Sequence, residues 1–281
     1  MDERLEELEE KVEEILRKGR EERRVKDEEY YEVKQLVFDN RTVRNLLKLF
    51  NKGVLNDLTW IVSSGKESVV LAGRGAGIEV AVKVHRVHTA NFKRYLDYIA
   101  GDHRFVPIKD KEKLVYVWAK KEFRNLKRMW ENGVNVPKPV DLAGNVVVME
   151  FIGEGSVPAP LLREVELLES PREVRDTIIE DVRKCYLKAG LVHGDLSEYN
   201  LMYWKGKPWI IDVSQAVVLE HPLSYSLLLR DLERVVNFFK RRYGLNSIDV
   251  RELADELVRE RDLLEGDKSS DTQGESGRPD R

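Results

Sequence analysis

The chain has one cysteine, Cys185, in 281 residues. That excludes an internal disulfide framework and any cysteine-based zinc site. No uninterrupted apolar run approaches the ~20 residues that span a membrane. The opening stretch, MDERLEELEEKVEEIL, is too charged for a signal peptide. A soluble, cytoplasmic protein with no membrane partner is expected. Net charge is also scarce: it is -3, although 35% of residues are charged. Opposite signs are interspersed, so bulk charge leaves no footprint for nucleic acid. Internal repeats are absent. What is present is a chain dense in Glu, Lys and Arg, a composition seen in heat-adapted intracellular proteins. Hydrophobic residues make up 42%, enough for a sizeable core, and the length suits one bilobal domain or two small ones.

From Asp2 to Lys18, Leu5, Leu8, Val12, Ile15 and Leu16 recur at helical spacing and form one narrow apolar stripe. A solvated helix packed on the body fits this better than a coiled-coil contact. Two further helices are expected, near Asp27–Asp39 and Arg41–Lys52, the second with Val43, Leu46, Leu47 and Phe50 on one face. Its Arg41, Arg44, Lys48 and Lys52 are no more than a soluble helix carries, which favours a structural role over nucleic-acid reading. After Asp57 the period becomes two: TWIVSSGKESVVLAG and IEVAVKVHRV flank a glycine-containing turn at Arg74–Gly77, a hairpin signal. NVVVMEF (Asn145–Phe151) reads as a further strand. Before it, VYVWAKKEFRNLKRMWENG reads as a helix with Ala119, Phe123, Leu126 and Trp130 on one face. His88–Lys113 has no clean period and is expected to be a partly mobile insertion. Helices follow around Val174–Tyr186, Leu227–Tyr243 and Asp249–Leu263, and the polar tail has almost no apolar residue to order it. The expected division is a helical extension at 1–57, a β-rich lobe at 58–150, a helical lobe at 151–264 and a disordered tail at 265–281.

The chemistry concentrates in LVHGDLSEYNLMYWKGKPWIIDVSQAV, Leu191–Val217. Asp195 and Asn200 lie five apart on a loop signalled by His193-Gly194, and Asp212 ends the apolar run PWII. A hairpin around Lys205-Gly206 returns Asp212 beside Asn200, placing an acid and an amide on one cation. A single Asp at a strand end is an ordinary turn residue. Three such groups at this spacing are what phosphoryl transfer needs: hard oxygen ligands for magnesium, and a carboxylate facing the attacking group. Lys83 lies inside the apolar strand VAVKV, where an ammonium needs a carboxylate partner, and Glu122 sits at the edge of the helix face that can supply one. His85 and His88 stand at a strand end, where solvent exposure is expected over metal ligation. His193 is expected to brace its loop, and Cys185 to lie in the core.

HGDLSEYN and IIDVSQAV, together with SSGKES and MEFIGEGSVPAPLL, resemble the RIO family of atypical serine/threonine protein kinases, and its type-1 branch most closely. The resemblance covers about Thr59 to Arg242. It implies an α+β, bilobal protein-kinase-like fold with a β-rich N-lobe and a helical C-lobe. The C-lobe would lack an activation segment and peptide-docking helices, and extra helices would precede the N-lobe. Lys83 would contact the α/β-phosphates with Glu122 holding it, Asp195 would act as catalytic acid/base, and Asn200 and Asp212 would bind the metal. Ser63, Ser64, Gly65, Lys66 and Ser68 stand in place of the glycine-rich loop, and Glu150 and Ile152 at the adenine-binding hinge. Asp212 would also be able to accept phosphate as an aspartyl-phosphate. ATP and Mg2+ (with Mn2+ able to substitute) are the implied cofactors, and a precursor of the small ribosomal subunit is the implied partner. Asp212 is followed by Val213-Ser214, not Phe-Gly, and only seventeen positions separate it from Leu229, with no Ala-Pro-Glu. That gap favours an ATPase-like switch over a broad peptide kinase. A small-molecule phosphotransferase of the aminoglycoside or choline kinase kind shares His-Gly-Asp-Leu and remains the alternative.

Overall fold

A computed structural model describes residues 2–21, 39–86, 92–106, 108, 110–155 and 157–271. All but Asp39 of the helix expected near Asp27–Asp39, His88 and the last ten residues lie outside them. Helix α1 (Asp2–Glu21) and helix α2 (Asn40–Asn51) precede a five-stranded antiparallel sheet. Its strands β1 (Asp57–Ser64), β2 (Ser68–Gly75), β3 (Ile78–His85), β4 (Pro139–Ala143) and β5 (Val146–Glu150) lie in the order β1-β2-β3-β5-β4. β3 is therefore the central strand, paired to β2 and β5, with Lys83 opposite Val70 and Val147.

Strand alternation sorts β3 onto two faces. Val80, Val82 and Val84 are fully buried in one cluster with Val12, Ile15, Val43, Leu46 and Leu49, so α1 and α2 cover the back of the sheet. The buried Asn145 reinforces this: its Nδ2 donates to Thr42 Oγ1 at 2.9 Å, and its Oδ1 accepts from Asn45 at 3.0 Å. Helix α2 thus has a structural attachment to the sheet. Ala81, Lys83 and His85 point the other way, toward helix α4 (Lys111–Glu131) and the cleft.

Two sequence expectations need correction here. The stretch 88–113 holds helix α3 (Phe92–Ala100), whose Tyr95 and Ile99 are buried with Leu114 and Trp118 of α4; Tyr95 stacks on Trp118 at 4.1 Å. A nine-residue helix needs only this small contact to be ordered, which a search for a long period passes over. The buried face of α4 is also rotated. Ala119 and Leu126 are buried, but Trp130 is exposed and Phe123 only half-buried, while Lys121, Glu122, Asn125 and Met129 are inside. Polar residues on the inner face displaced the apolar stripe from the true contact.

The C-lobe follows the short pair of strands β6 (Gly153–Glu154) and β7 (Val157–Pro158). It contains helices α5 (Pro171–Leu187), α6 (Ser224–Tyr243) and α7 (Val250–Asp271). Val174, Ile178, Val182, Tyr186, Leu228, Leu232, Val235 and Phe239 all bury in one core with Cys185. α7 continues to Asp271, past the Leu263 end expected for it. Between α5 and α6 lie β8 (Leu191–Val192), the hairpin β9 (Leu201–Trp204) and β10 (Lys207–Ile210), and β11 (Val217–Val218), which pairs back on β8. Among the described residues no helix is long and apolar enough to cross a membrane.

Candidate active site

The β8–β11 pair closes at the base of the cleft, so the loops that leave it, 193–200 and 211–216, lie side by side. Ile211 N–H donates to Asn200 O at 3.0 Å, which sets Asp212 beside Asn200 as the hairpin spacing predicts. Lys83 then joins the lobes: its Nζ lies 2.7 Å from Glu122 Oε1 and 2.9 Å from Asp212 Oδ1. Burial alone lowers the Lys83 pKa, but the Asp212 and Glu122 carboxylates outweigh it and hold the ammonium above its ordinary value. Burial likewise works to raise Asp212, and Lys83 overcomes it; the Ser214 hydroxyl also donates to Asp212 Oδ1 at 2.8 Å, and the carboxyl sits well below the usual range. Glu122 follows the same logic, with Lys83 and then His85 outweighing burial to hold it low.

His85 is not at the surface. Two residues from Lys83 and on the same strand face, it is 2% exposed, with Nε2 at 2.7 Å from Glu122 Oε2 in a contact short of a directed hydrogen bond. The expectation of solvent exposure fails because β3 is central and α4 covers that end.

Asp195 is held differently. Gly194 and Leu196 N–H donate to the buried Asp231 carboxylate at 2.7 and 2.9 Å, and Arg230 donates to Gly194 O. Burial pushes the Asp231 carboxyl up despite these donors. Gly194 has φ +79, and a Cβ there would meet Gln215 O at 3.1 Å, so glycine suits both the backbone angle and the close approach. His193 Nδ1 accepts Asp195 N–H at 3.2 Å, which leaves Nε2 to donate to Ile211 O at 3.2 Å, the bracing expected of it. The Asp195 side chain accepts from Arg234 Nη1 on Oδ1 at 2.8 Å and from Gln215 Nε2 on Oδ2 at 3.1 Å. Asn200 Nδ2 donates to Asp195 O at 2.8 Å, so the amide oxygen is the end left for a cation.

A cavity of about 220 Å³ between the lobes is lined by Ser63, Ser68, Lys83, Glu122, Met149, Glu150, Phe151, Ile152, Asn200 and Asp212, among others. Asn200 also borders a second, open cavity of about 430 Å³ with Asp195, Tyr199, Arg234 and Arg241. The strand loop is brought to the cleft only in part. Ser64 Oγ and Gly65 O accept from Arg86 at 3.3 and 2.8 Å, Gly65 N–H donates to Ser68 O at 2.9 Å, and Lys66 is exposed. At the hinge, Ile152 O accepts Ala159 N–H at 2.9 Å.

Does this set suit a magnesium nucleotide? Among the described residues no three His, Cys, Asp or Glu side chains cluster as a metal cage. One carboxylate and one amide oxygen beside a cleft lysine is instead the sparse, hard-oxygen set that Mg2+ takes when phosphates complete its shell. The residues fit.

Sequence reasoning passed over Gln215, Asp231, Arg234, Lys121 and Asn125, and set His85 in solvent. Asp231 left a signal: it is a polar residue in the buried phase of an amphipathic helix, where only a polar partner justifies it, whereas Lys121 and Asn125 lie off the apolar stripe that the sequence of α4 shows. Arg234 left none.

Two lobes around a strand lysine paired to a helix glutamate, with an Asp–Asn loop facing a second Asp, define a protein-kinase-like α+β fold. The same architecture occurs in the Rio2 kinase of Chaetomium thermophilum solved as an ADP/Mg2+-phosphoaspartate complex: the TM-score is 0.61 at 21% identity, over 78% of this chain and 66% of that one. The RIO domain family matches residues 65–253, and the chain belongs to that family. The RIO-type serine/threonine-protein kinase Rio1 of Haloferax volcanii is 41% identical over 78% of this chain and 76% of its own length. That of Methanocaldococcus jannaschii is 42% identical over 73% and 71%. These matches place the chain in the type-1 branch. It is 36% identical to human serine/threonine-protein kinase RIO1, of which it spans 44%.

Proposed function

We propose that the chain is a RIO-type atypical serine/threonine kinase and ATPase that transfers the γ-phosphoryl group of ATP. The observation that carries this reading is the convergence of Lys83, Glu122, Asn200 and Asp212 on one interlobe cleft, with Asp195 on its rim. In this reading Lys83 meets the α/β-phosphates, the hinge at Glu150 and Ile152 takes the adenine, and Ser63 and Ser68 cover the phosphates. Asn200 and Asp212 hold Mg2+, with Mn2+ able to replace it; the bound cation neutralises charge building on the transferred group. Asp195 orients the acceptor hydroxyl and takes its proton as oxygen bonds to the γ-phosphorus and the bond to ADP breaks. With water as acceptor the same step is hydrolysis. Asp212 is itself a second acceptor through a carboxylate oxygen in this reading, which the phosphoaspartate of the Rio2 complex supports. The family resemblance supports a cytoplasmic switch acting on a small-ribosomal-subunit precursor.

The test is Asp212→Asn, which should abolish magnesium-dependent ATP turnover in a folded protein; turnover at the wild-type level would remove Asp212 from the metal site. Phosphate bound to the wild type should be released by hydroxylamine if it is an acyl phosphate, whereas resistance would indicate a Ser or Thr ester. Turnover with purified small ribosomal subunits should exceed turnover alone. Stimulation by a small alcohol or amine instead would point to a small-molecule phosphotransferase.

A further inference from the structure

Helix α4 carries three polar side chains, Lys121, Glu122 and Asn125, that are all within 2% of full burial. Glu122 serves Lys83. The other two turn toward the segment just after Asp212. Lys121 Nζ donates to Ser214 O at 3.0 Å and to Ala216 O, and Asn125 Nδ2 donates to Val213 O and Ala216 O, both at 3.0 Å. Three carbonyls of the 3-10 turn Val213–Gln215 and the residue after it are thus captured by one helix.

Burying this lysine is costly. Lys121 makes no ion pair with a carboxylate among the described residues, and burial pushes its pKa down to about 7. A Met or Leu would fill the space beneath Trp118 without that cost. Asn125 is in turn fixed from behind: its Oδ1 accepts from Arg104 Nη2 at 2.8 Å, and Arg104 is paired to the buried Asp102 at 2.7 Å. The turn needs such holding. Asp212 has φ +54 and ψ +66, a left-handed conformation that a non-glycine residue occupies only when its surroundings impose it.

We propose that Lys121 and Asn125 are positioning residues for phosphoryl transfer, which hold the 213–216 turn so that Asp212 presents its carboxylate to the cation. This rests on the reading of Asp212 as a metal ligand. One helix then sets both members of the Lys83–Asp212 pair, Lys83 through Glu122 and Asp212 through the captured turn. An activation segment has nothing left to arrange in this design, and α6 begins at Ser224, shortly after the turn.

The experiment measures binding of a fluorescent ATP analogue to the full chain as Mg2+ is titrated, for the wild type, Lys121→Met and the isosteric Asn125→Asp. Cooperative thermal unfolding identifies the folded variants. Outer-shell partners of metal ligands typically tune metal affinity by about 10–100-fold. The Mg2+ concentration at half-effect should rise by at least about tenfold, at the low end of that range, while affinity for the nucleotide without Mg2+ is kept. Loss of stability with an unchanged Mg2+ midpoint would overturn the proposal, since that is what a packing role alone produces. Asn125→Asp carries the test if Lys121→Met does not fold. A wild type whose nucleotide binding ignores Mg2+ would overturn the underlying functional reading instead.

Discussion

The two acids of the cleft are held by opposite means. On one wall Lys83 and Glu122 are a desolvated charge pair with His85 packed against it, Glu122 only 2% exposed, and Asp212 stands at its edge, 43% open to the cleft. On the other wall Asp195 is 28% exposed and faces an arginine that is 39% exposed, while the loop beneath is fixed by backbone N–H groups on Asp231. The first wall depends on complete pairing, because a buried charge that loses its partner costs several kcal/mol. The second depends on backbone geometry, so the Asp195 side chain is not what holds its loop.

Substitutions can break this contrast. After Asp212→Asn, the largest effect is expected for Asp195→Asn: loss of a general base lowers turnover by about 10²–10⁴-fold. Nucleotide affinity and the urea midpoint should stay near wild type; a large shift of that midpoint would show that Asp195 is structural after all. Glu122→Gln should do the reverse in kind, removing about 3–5 kcal/mol of stability by leaving Lys83 and His85 short of a carboxylate. Urea unfolding measures this, and a loss below about 1 kcal/mol would mean that the cluster behaves like a surface pair.

Lys121 sharpens the contrast through pH. Its folded pKa is about 7, against about 10.4 in an unfolded chain. Between those values the unfolded chain keeps the proton that the folded one gives up. Stability should therefore rise with pH through that window, by at most about 1.4 kcal/mol per unit. Unfolding curves of wild type and Lys121→Met across the window isolate the effect, and parallel pH profiles would refute it. The smallest change is expected from Arg234→Ala, at most about 1 kcal/mol for a solvent-screened pair, read from the same unfolding curves.

Much of the C-lobe was legible. The periods of α5 and α6 and the hairpin around Lys205-Gly206 are local, and Lys205 and Gly206 adopt the positive φ values, 49 and 78, that such a turn uses. Asp195, Asn200 and Asp212 were legible because a short hairpin fixes their separation. Lys83 and Glu122 were legible as a mismatch between residue and surroundings. Helix α3 and the inner face of α4 were not, since a short helix and polar inner residues both weaken the apolar period. Of the strand loop, Ser63 and Ser68 reach the cleft, whereas Arg86 draws Ser64 and Gly65 aside, an outcome that depends on a residue 21 and 22 positions away.

By itself the sequence determined the lobes, the strand lysine and the Asp–Asn–Asp constellation, because each is written in local period or short spacing. Only the tertiary structure decided what holds them: His85 against Glu122, Asp231 under the Asp195 loop, and Lys121 with Asn125 on the turn after Asp212. Those contacts join residues 35 to 95 positions apart, and they form only where packing excludes water and leaves polar groups no other partner.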